Sequence, residues 1–275
     1  MIYVAELSIN HLGMLNIAKA MIKAAKASGA NYVKIKIKKV NQYYSQKPKQ
    51  WRGYDFISYR ESLELKNEDI KEMVSYCKEV GIGWFSTVHD KTGLDFVKTL
   101  KPSFFKVASM DNKNLKLINE TLSVCKKNKV PFIVSLGGQD KKETEDIIKI
   151  IKKYDVKCYL LHCVSIYPTP EGQSNINYID YLIEKYQKGN FKVGYSGHEE
   201  NYAASISAGF KDIHMIERHF TLDKNIKIHH IKSGILPSEF WEMKETIAKV
   251  RKESVKPVKS SSAGENLFLK KKVYK

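Results

Sequence analysis

The sequence predicts a single (β/α)8 barrel, the TIM-barrel fold, on three observations. Eight short apolar runs rich in Val, Ile, Phe and Tyr recur along the chain, helical patterns follow them, and the pairs fit within about 250 residues. Alternation of this kind builds a parallel sheet, and eight repeats close it into a barrel. A doubly wound open sheet would use the same units, but no GxGxxG follows the first strand.

In order, the predicted strands are 2–7 (IYVAEL), 32–37 (YVKIKI), 83–88 (GWFSTV), 104–109 (FFKVAS), 131–136 (PFIVSL), 158–164 (CYLLHCV), 192–197 (KVGYSG) and 213–219 (IHMIERH). Helical patterns cover 16–29, 67–81, 141–155 and 238–253, and Gly29 and Gly81 stand where a left-handed C-terminal cap is expected. The aromatic segment 39–65 lacks periodicity and is expected to be an extended loop over the barrel mouth. Residues 1–255 form the expected barrel domain, and 256–275, rich in Ser, Gly and Lys, read as a linker-like tail.

Hydrophobic residues make up 43% of the 275-residue chain, enough for a sizeable core. A mean hydropathy of −0.40 and the lack of a long apolar run argue against a membrane-spanning protein. The net charge of +17 suits nucleic acid, anionic membranes or small anionic substrates. Only Arg52, Arg60, Arg218 and Arg251 among the 47 basic residues are arginines, and the lysines are scattered over helical faces, so nucleic acid is not the expected partner. Cys77, Cys125, Cys158 and Cys163 show no CxxC spacing and read as small core residues. No signal-peptide pattern is read at the N-terminus, and the cytoplasm is the expected compartment.

In such a barrel the C-terminal strand ends carry the chemistry. Those ends are polar here: Glu6, Asn10, Lys34, Lys36, Ser86, Thr87, Lys106, Ser109, Ser135, Ser165, Tyr167, Ser196, His198, Glu217 and His219. A lysine inside an apolar strand is costly without an anion, so Lys34 and Lys106 point to an anionic ligand. Alternation sets Lys34, Lys36 and Lys38 opposite Val33, Ile35 and Ile37. Because the outer strand face is buried under helices, Lys34 and Lys36 are expected to face inward. Serines at the strand ends would add hydroxyl donors to the same anion. His198 and His219 end adjacent strands and can share a divalent metal, with substrate or water at its open positions. His11, His89, His229 and His230 are further candidates, while His162 and His214 read as core.

The segments AELSINHLG (5–13), VKIK (33–36), YRESLEL (59–65), FSTVHD (85–90), FKVASMDNKN (105–114), LLHCVSIYPTP (160–170), VGYSGH (193–198) and ERHFTLDKN (217–225) resemble the sialic acid synthase family, which includes N-acetylneuraminate, legionaminate and pseudaminate synthases. The resemblance runs from residue 2 to about residue 255 and is specific in order and spacing. It implies a transferase that condenses phosphoenolpyruvate with the open-chain aldehyde of an amino sugar, giving a nine-carbon 2-keto-3-deoxy sugar acid and phosphate for surface glycans such as capsule or lipopolysaccharide. By matching position, His198 and His219 would hold the divalent metal, manganese or magnesium. Lys34, Thr87, Lys106, Ser109, Ser135 and Ser196 would hold phosphoenolpyruvate. Glu6 would handle a proton near the metal, and Asn10, Lys36, Asp111, Tyr167 and His230 fall on the sugar side.

Departures from the family pattern fall largely on that sugar side. VKFQ becomes VKIK, placing Lys36 where the family has an amide; GYSDH becomes GYSGH; STG becomes SLG; and GPDHKAS reads IHHIKSG, so the Asp and His of that motif become His230 and Ile231. Asp111 stands where a Glu is usual. Lys36 and His230 each add possible positive charge, which suggests an acceptor bearing a phosphate or carboxylate. Family members continue into a small antifreeze-like domain that caps a partner's barrel in a homodimer; this chain ends at Lys275. Two other classes stay open at this point: a regulatory barrel that binds metal or phosphate without turnover, and a metal-dependent keto-sugar-acid aldolase or lyase.

Overall fold

The computed structural model describes residues 1–44, 50–51 and 53–253. The tail expected over 256–275 lies outside the described residues. The barrel strands are β1 (Ile2–Glu6), β2 (Tyr32–Ile37), β3 (Gly83–Val88), β4 (Phe105–Val107), β5 (Phe132–Ser135), β6 (Cys158–His162), β7 (Phe191–Gly197) and β8 (Met215–Phe220). Each pairs in parallel with the next, and β1 pairs with β8, so the sheet closes as a (β/α)8 TIM barrel. A two-residue strand, Gly234–Ile235, extends the upper edge of β8.

Among the described residues, eight helices wrap the barrel: α1 (Leu15–Ala27), α2 (Asn67–Val80), α3 (Lys91–Val97), α4 (Leu115–Asn128), α5 (Lys141–Lys152), α6 (Tyr178–Tyr186), α7 (Ala203–Gly209) and α8 (Pro237–Glu253). Local chemistry sets several boundaries. The Asp140 carboxylate accepts from Glu143 N at 2.7 Å while Glu143 accepts from Asp140 N at 3.0 Å, a capping box that starts α5. Gly81 ends α2 at φ +72°, where a side chain would be strained.

Segment 39–65 is not the extended loop its sequence suggests. It holds two short helices, Val40–Tyr43 and Phe56–Ser62, and a hairpin between Gln50–Trp51 and Tyr54–Asp55. Glu64 bonds Lys38 at 2.8 Å and Arg60 at 3.3 Å, tying this excursion to the end of β2.

Outward strand residues such as Val33, Ile35, Val107, Val134 and Leu160 pack with Met21, Ile22, Met73 and Leu117 of the helices in one core. The lower interior forms a second core of Val4, Phe85, Phe104, Ile133, Tyr159, Leu161 and Met215. Two residues further along the same faces, the interior becomes polar. Cys77, Cys125 and Cys158 lie in the outer core, as read from the sequence, and all four cysteines are free. His162 is buried and donates to the Ser174 carbonyl at 2.9 Å. His214, in contrast, sits half-buried just before β8.

Candidate active site

The upper interior layer is built by strand alternation. Glu6 lies two residues beyond Val4, Lys34 beyond Tyr32, Thr87 beyond Phe85, Lys106 beyond Phe104, Ser135 beyond Ile133 and Glu217 beyond Met215. At its centre, Glu217 Oε1 accepts from Lys106 Nζ at 2.6 Å, Lys34 Nζ at 2.8 Å and Ser196 Oγ at 3.1 Å. Lys34 also contacts Glu6. All are buried, so the charges survive only by mutual compensation. Burial alone would raise the Glu217 carboxyl, but Lys106 and Lys34 hold it well below the usual range. Thr87 Oγ1 and Glu217 Oε2 are buried without a hydrogen-bond partner, an open capacity for a ligand.

Ser109 accepts from Ser165 Oγ at 2.8 Å beside this layer. The Ser135 carbonyl accepts from Asn112 at 3.1 Å, fixing the end of β5. Gly137 allows the close approach there: a Cβ would meet Ser165 Oγ at 2.4 Å and Cys163 Sγ at 2.7 Å. Cys163 therefore belongs to the mouth and not to the outer core.

Four rings form the opposite wall. His198 and His219 have centroids 5.6 Å apart, and Tyr167 lies 4.1 Å from both His198 and His230. His198 Nδ1 donates to the Val164 carbonyl at 2.8 Å, which leaves its Nε2 as a bare lone pair. His219 Nδ1 is buried without a partner. Burial pushes His198 down to about 3, and it also lowers His219, so both rings are neutral donors of lone pairs. That donor chemistry fits a divalent metal. Among the described residues no group of three or more His, Cys, Asp or Glu is placed to hold an ion, so substrate or water oxygens would complete the set.

The remaining candidates border this cleft. Asn10 donates to the Phe220 carbonyl at 2.8 Å and leaves Oδ1 buried without a partner. Lys36 lies 3.3 Å from Ser8 Oγ, and burial pushes its ammonium down to about 8. Asp111 accepts from His89 Nδ1 at 2.7 Å and from Tyr43 OH at 3.0 Å. His11 accepts from Gly13 N at 3.1 Å and stands apart from the other imidazoles.

Residues 21–259 match the NeuB family. The chain belongs to the NeuB family. Among its relatives, N-acetylneuraminate-9-phosphate synthase of Mus musculus is 29% identical over 265 residues, covering 93% of this chain and 72% of that protein. Pseudaminic acid synthase of Campylobacter jejuni is 30% identical over 253 residues, covering 89% and 72%. Among solved structures, N-acetylneuraminic acid synthetase of Leptospira borgpetersenii, in complex with citrate, aligns with a TM-score of 0.86 at 25% identity over 98% of this chain and 90% of that one. This NeuB protein is accordingly an enzyme of the sialic acid synthase type, a transferase acting on small molecules. No helix among its described residues is long and apolar enough to cross a membrane.

The structure explains several of its sequence departures. A Cβ at Gly197 would lie 2.6 Å from Glu199 Oε2, so the Glu199 carboxylate fills the space beside that position. Glu199 is in turn held by buried Arg218 at 2.8 Å. Leu136 packs into the outer core. His230 adopts φ +67°, unusual for a residue with a side chain, and its ring lies tilted at 47° against His229, with centroids 3.6 Å apart. Beyond it opens a cavity of about 350 Å³ lined by Tyr167, Lys224, Lys227, His230 and Lys232.

Glu217 was legible as a strand-end carboxylate but had no assigned role in the sequence. The available signal was physical: two inward lysines on nearby strands need a buried counter-ion.

Proposed function

We propose that this NeuB enzyme condenses phosphoenolpyruvate with the aldehyde of an amino sugar, releasing phosphate and a 2-keto-3-deoxy sugar acid. The observation that carries this reading is the buried Lys34–Glu217–Lys106 group lying in one cleft with His198 and His219. Lys34 and Lys106 bind the phosphate and carboxylate of phosphoenolpyruvate, supported by hydroxyls of Thr87, Ser109, Ser135 and Ser196. Bound by His198 and His219, manganese or magnesium would supply Lewis acidity at the aldehyde oxygen.

C3 of phosphoenolpyruvate forms a bond to the aldehyde carbon, water adds to the oxocarbenium-like C2, and phosphate leaves by cleavage of its carbon–oxygen bond. Glu6, paired across the sheet with both His219 and Lys34, handles the proton at the new hydroxyl. The lysines stabilise charge that develops on the departing phosphate. Asn10 and Tyr167 contact the acceptor, with Asp111 on the same side of the cleft. Lys36, His230 and the lysines of the neighbouring cavity favour an acceptor carrying phosphate or carboxylate. Residues 1–255 constitute the synthase domain in this reading, 256–275 the linker, and the enzyme works as a cytoplasmic homodimer.

The test is phosphate release from phosphoenolpyruvate with manganese across neutral and phosphorylated aminohexoses and hexoses. Metal-dependent release with one acceptor, abolished by His219→Ala, is expected. Absence of release despite phosphoenolpyruvate binding would favour a regulatory barrel, and pyruvate release from a keto sugar acid would favour an aldolase. Release with neutral sugars only would overturn the anionic acceptor.

A further inference from the structure

A second histidine assembly stands across the mouth from His198 and His219. His89 stands just past the end of β3, where Lys36 and Lys38 of the β2 end and Asp111 surround it. Its side chain is 2% exposed. The Asp111 carboxylate accepts from Nδ1 at 2.7 Å and from Tyr43 OH at 3.0 Å. The Tyr43 ring meets the imidazole edge-on, with centroids 5.0 Å apart. Strand β3, the turn after β4 and the short helix after β2 thus fix one ring in one orientation and one tautomer.

With the proton on Nδ1, Nε2 presents only a lone pair, and that atom is buried without a hydrogen-bond partner. Leaving a buried acceptor unpaired is costly, so its persistence in so constrained a ring marks a place for a ligand. Asp111, Lys38 and Lys36 are the charged groups around the ring. Burial, with the two lysines, outweighs Asp111 and keeps the imidazole neutral. A cation at Nε2 would face the lysines and an anion would face the lone pair. A neutral hydroxyl donor meets neither objection.

We propose that His89 Nε2 accepts a hydrogen bond from a hydroxyl of the sugar acceptor, with Asp111 and Tyr43 positioning the ring. The inference rests on the acceptor-condensing function above and assigns His89 to acceptor specificity.

His89→Phe keeps a ring and removes the acceptor atom. The KM for the acceptor is expected to rise about tenfold, equivalent to about 1.4 kcal/mol, with the KM for phosphoenolpyruvate unchanged; the melting temperature falls, because Asp111 also loses the Nδ1–H it accepts. Asp111→Asn, which lets the imidazole carry its proton on Nε2, is expected to raise the acceptor KM similarly without removing the ring. An acceptor lacking the recognised hydroxyl should lose affinity for the wild type and not for His89→Phe. Equal acceptor KM in wild type and both variants, or the same His89→Phe penalty with every deoxy analogue, overturns the proposal. If the wild type releases no phosphate with any acceptor, the synthase reading fails. Calorimetric titration of the same sugars into wild type and His89→Phe then decides the histidine proposal: weaker binding to the variant supports it and equal or absent binding sinks it.

Discussion

The barrel interior contains two layers, built by the same strands and separated by two residues, with opposite chemistry. The lower layer, including Val4, Phe85, Ile133 and Met215, is apolar and closely packed. The upper layer, with Glu6, Lys34, Lys106 and Glu217, is charged and equally buried. Apolar burial stabilises the lower layer directly. In the upper layer desolvation offsets most of the Coulomb attraction, so its charges contribute anion recognition more than stability. One strand can therefore serve both ends because alternate side chains share a face while their identity changes along it.

The sharpest break of this contrast is His219→Ala. Phosphate release should fall ~10⁴-fold, about 5 kcal/mol of transition-state stabilisation, while the urea midpoint moves little. A variant that retains turnover would remove His219 from the working layer. Phe85→Ala, in the lower layer, should do the reverse: a loss of about 4 kcal/mol in equilibrium unfolding, with the KM for phosphoenolpyruvate in the folded fraction unchanged. Stability close to wild type would show that the lower layer is not the anchor.

Glu217→Gln sharpens the comparison within the upper layer, with an expected cost of about 2 kcal/mol near neutral pH from weakened charged hydrogen bonds. The folded carboxyl sits below its ordinary 4.5, so its stabilisation is complete above 4.5 and is lost as pH falls through the folded value. Acid unfolding of the Gln variant should be flatter in that window; an unchanged acid limb would contradict the assignment.

The smallest effect concerns Lys36. Its ammonium is charged below about 8 and neutral above, so the KM for an anionic acceptor should rise severalfold as pH passes 8. Between 8 and 10.5 the unfolded chain binds this proton more tightly, so folding stability gains with pH over that interval. Lys36→Gln should abolish the change in KM, and a persistent pH dependence would place the titrating group elsewhere.

Much of this was legible in the sequence. The strands predicted at 32–37 and 83–88 coincide with β2 and β3 because their β-branched and aromatic residues are bounded by turn signals. The inward lysines followed from alternation plus the burial of both strand faces. Segment 39–65 misled because helices of four and seven residues are too short for a periodic signal. Cys163, read as core, and His89, read as a further metal candidate, went astray for a related reason: a residue just past a strand end can face the mouth or the core, and local pattern does not choose.

What the sequence determined by itself is therefore the set of strands, their caps, the polarity of each face and the family motifs they carry. Those are properties of neighbours along the chain, where backbone geometry and desolvation act on short stretches. Tertiary structure alone decided that Lys34 and Lys106, 183 and 111 residues from Glu217, meet on one carboxylate oxygen, and that His89, Asp111 and Tyr43 lock together. Such partnerships depend on the closure and register of the whole barrel, because only the closed sheet brings side chains from distant strands within hydrogen-bonding reach.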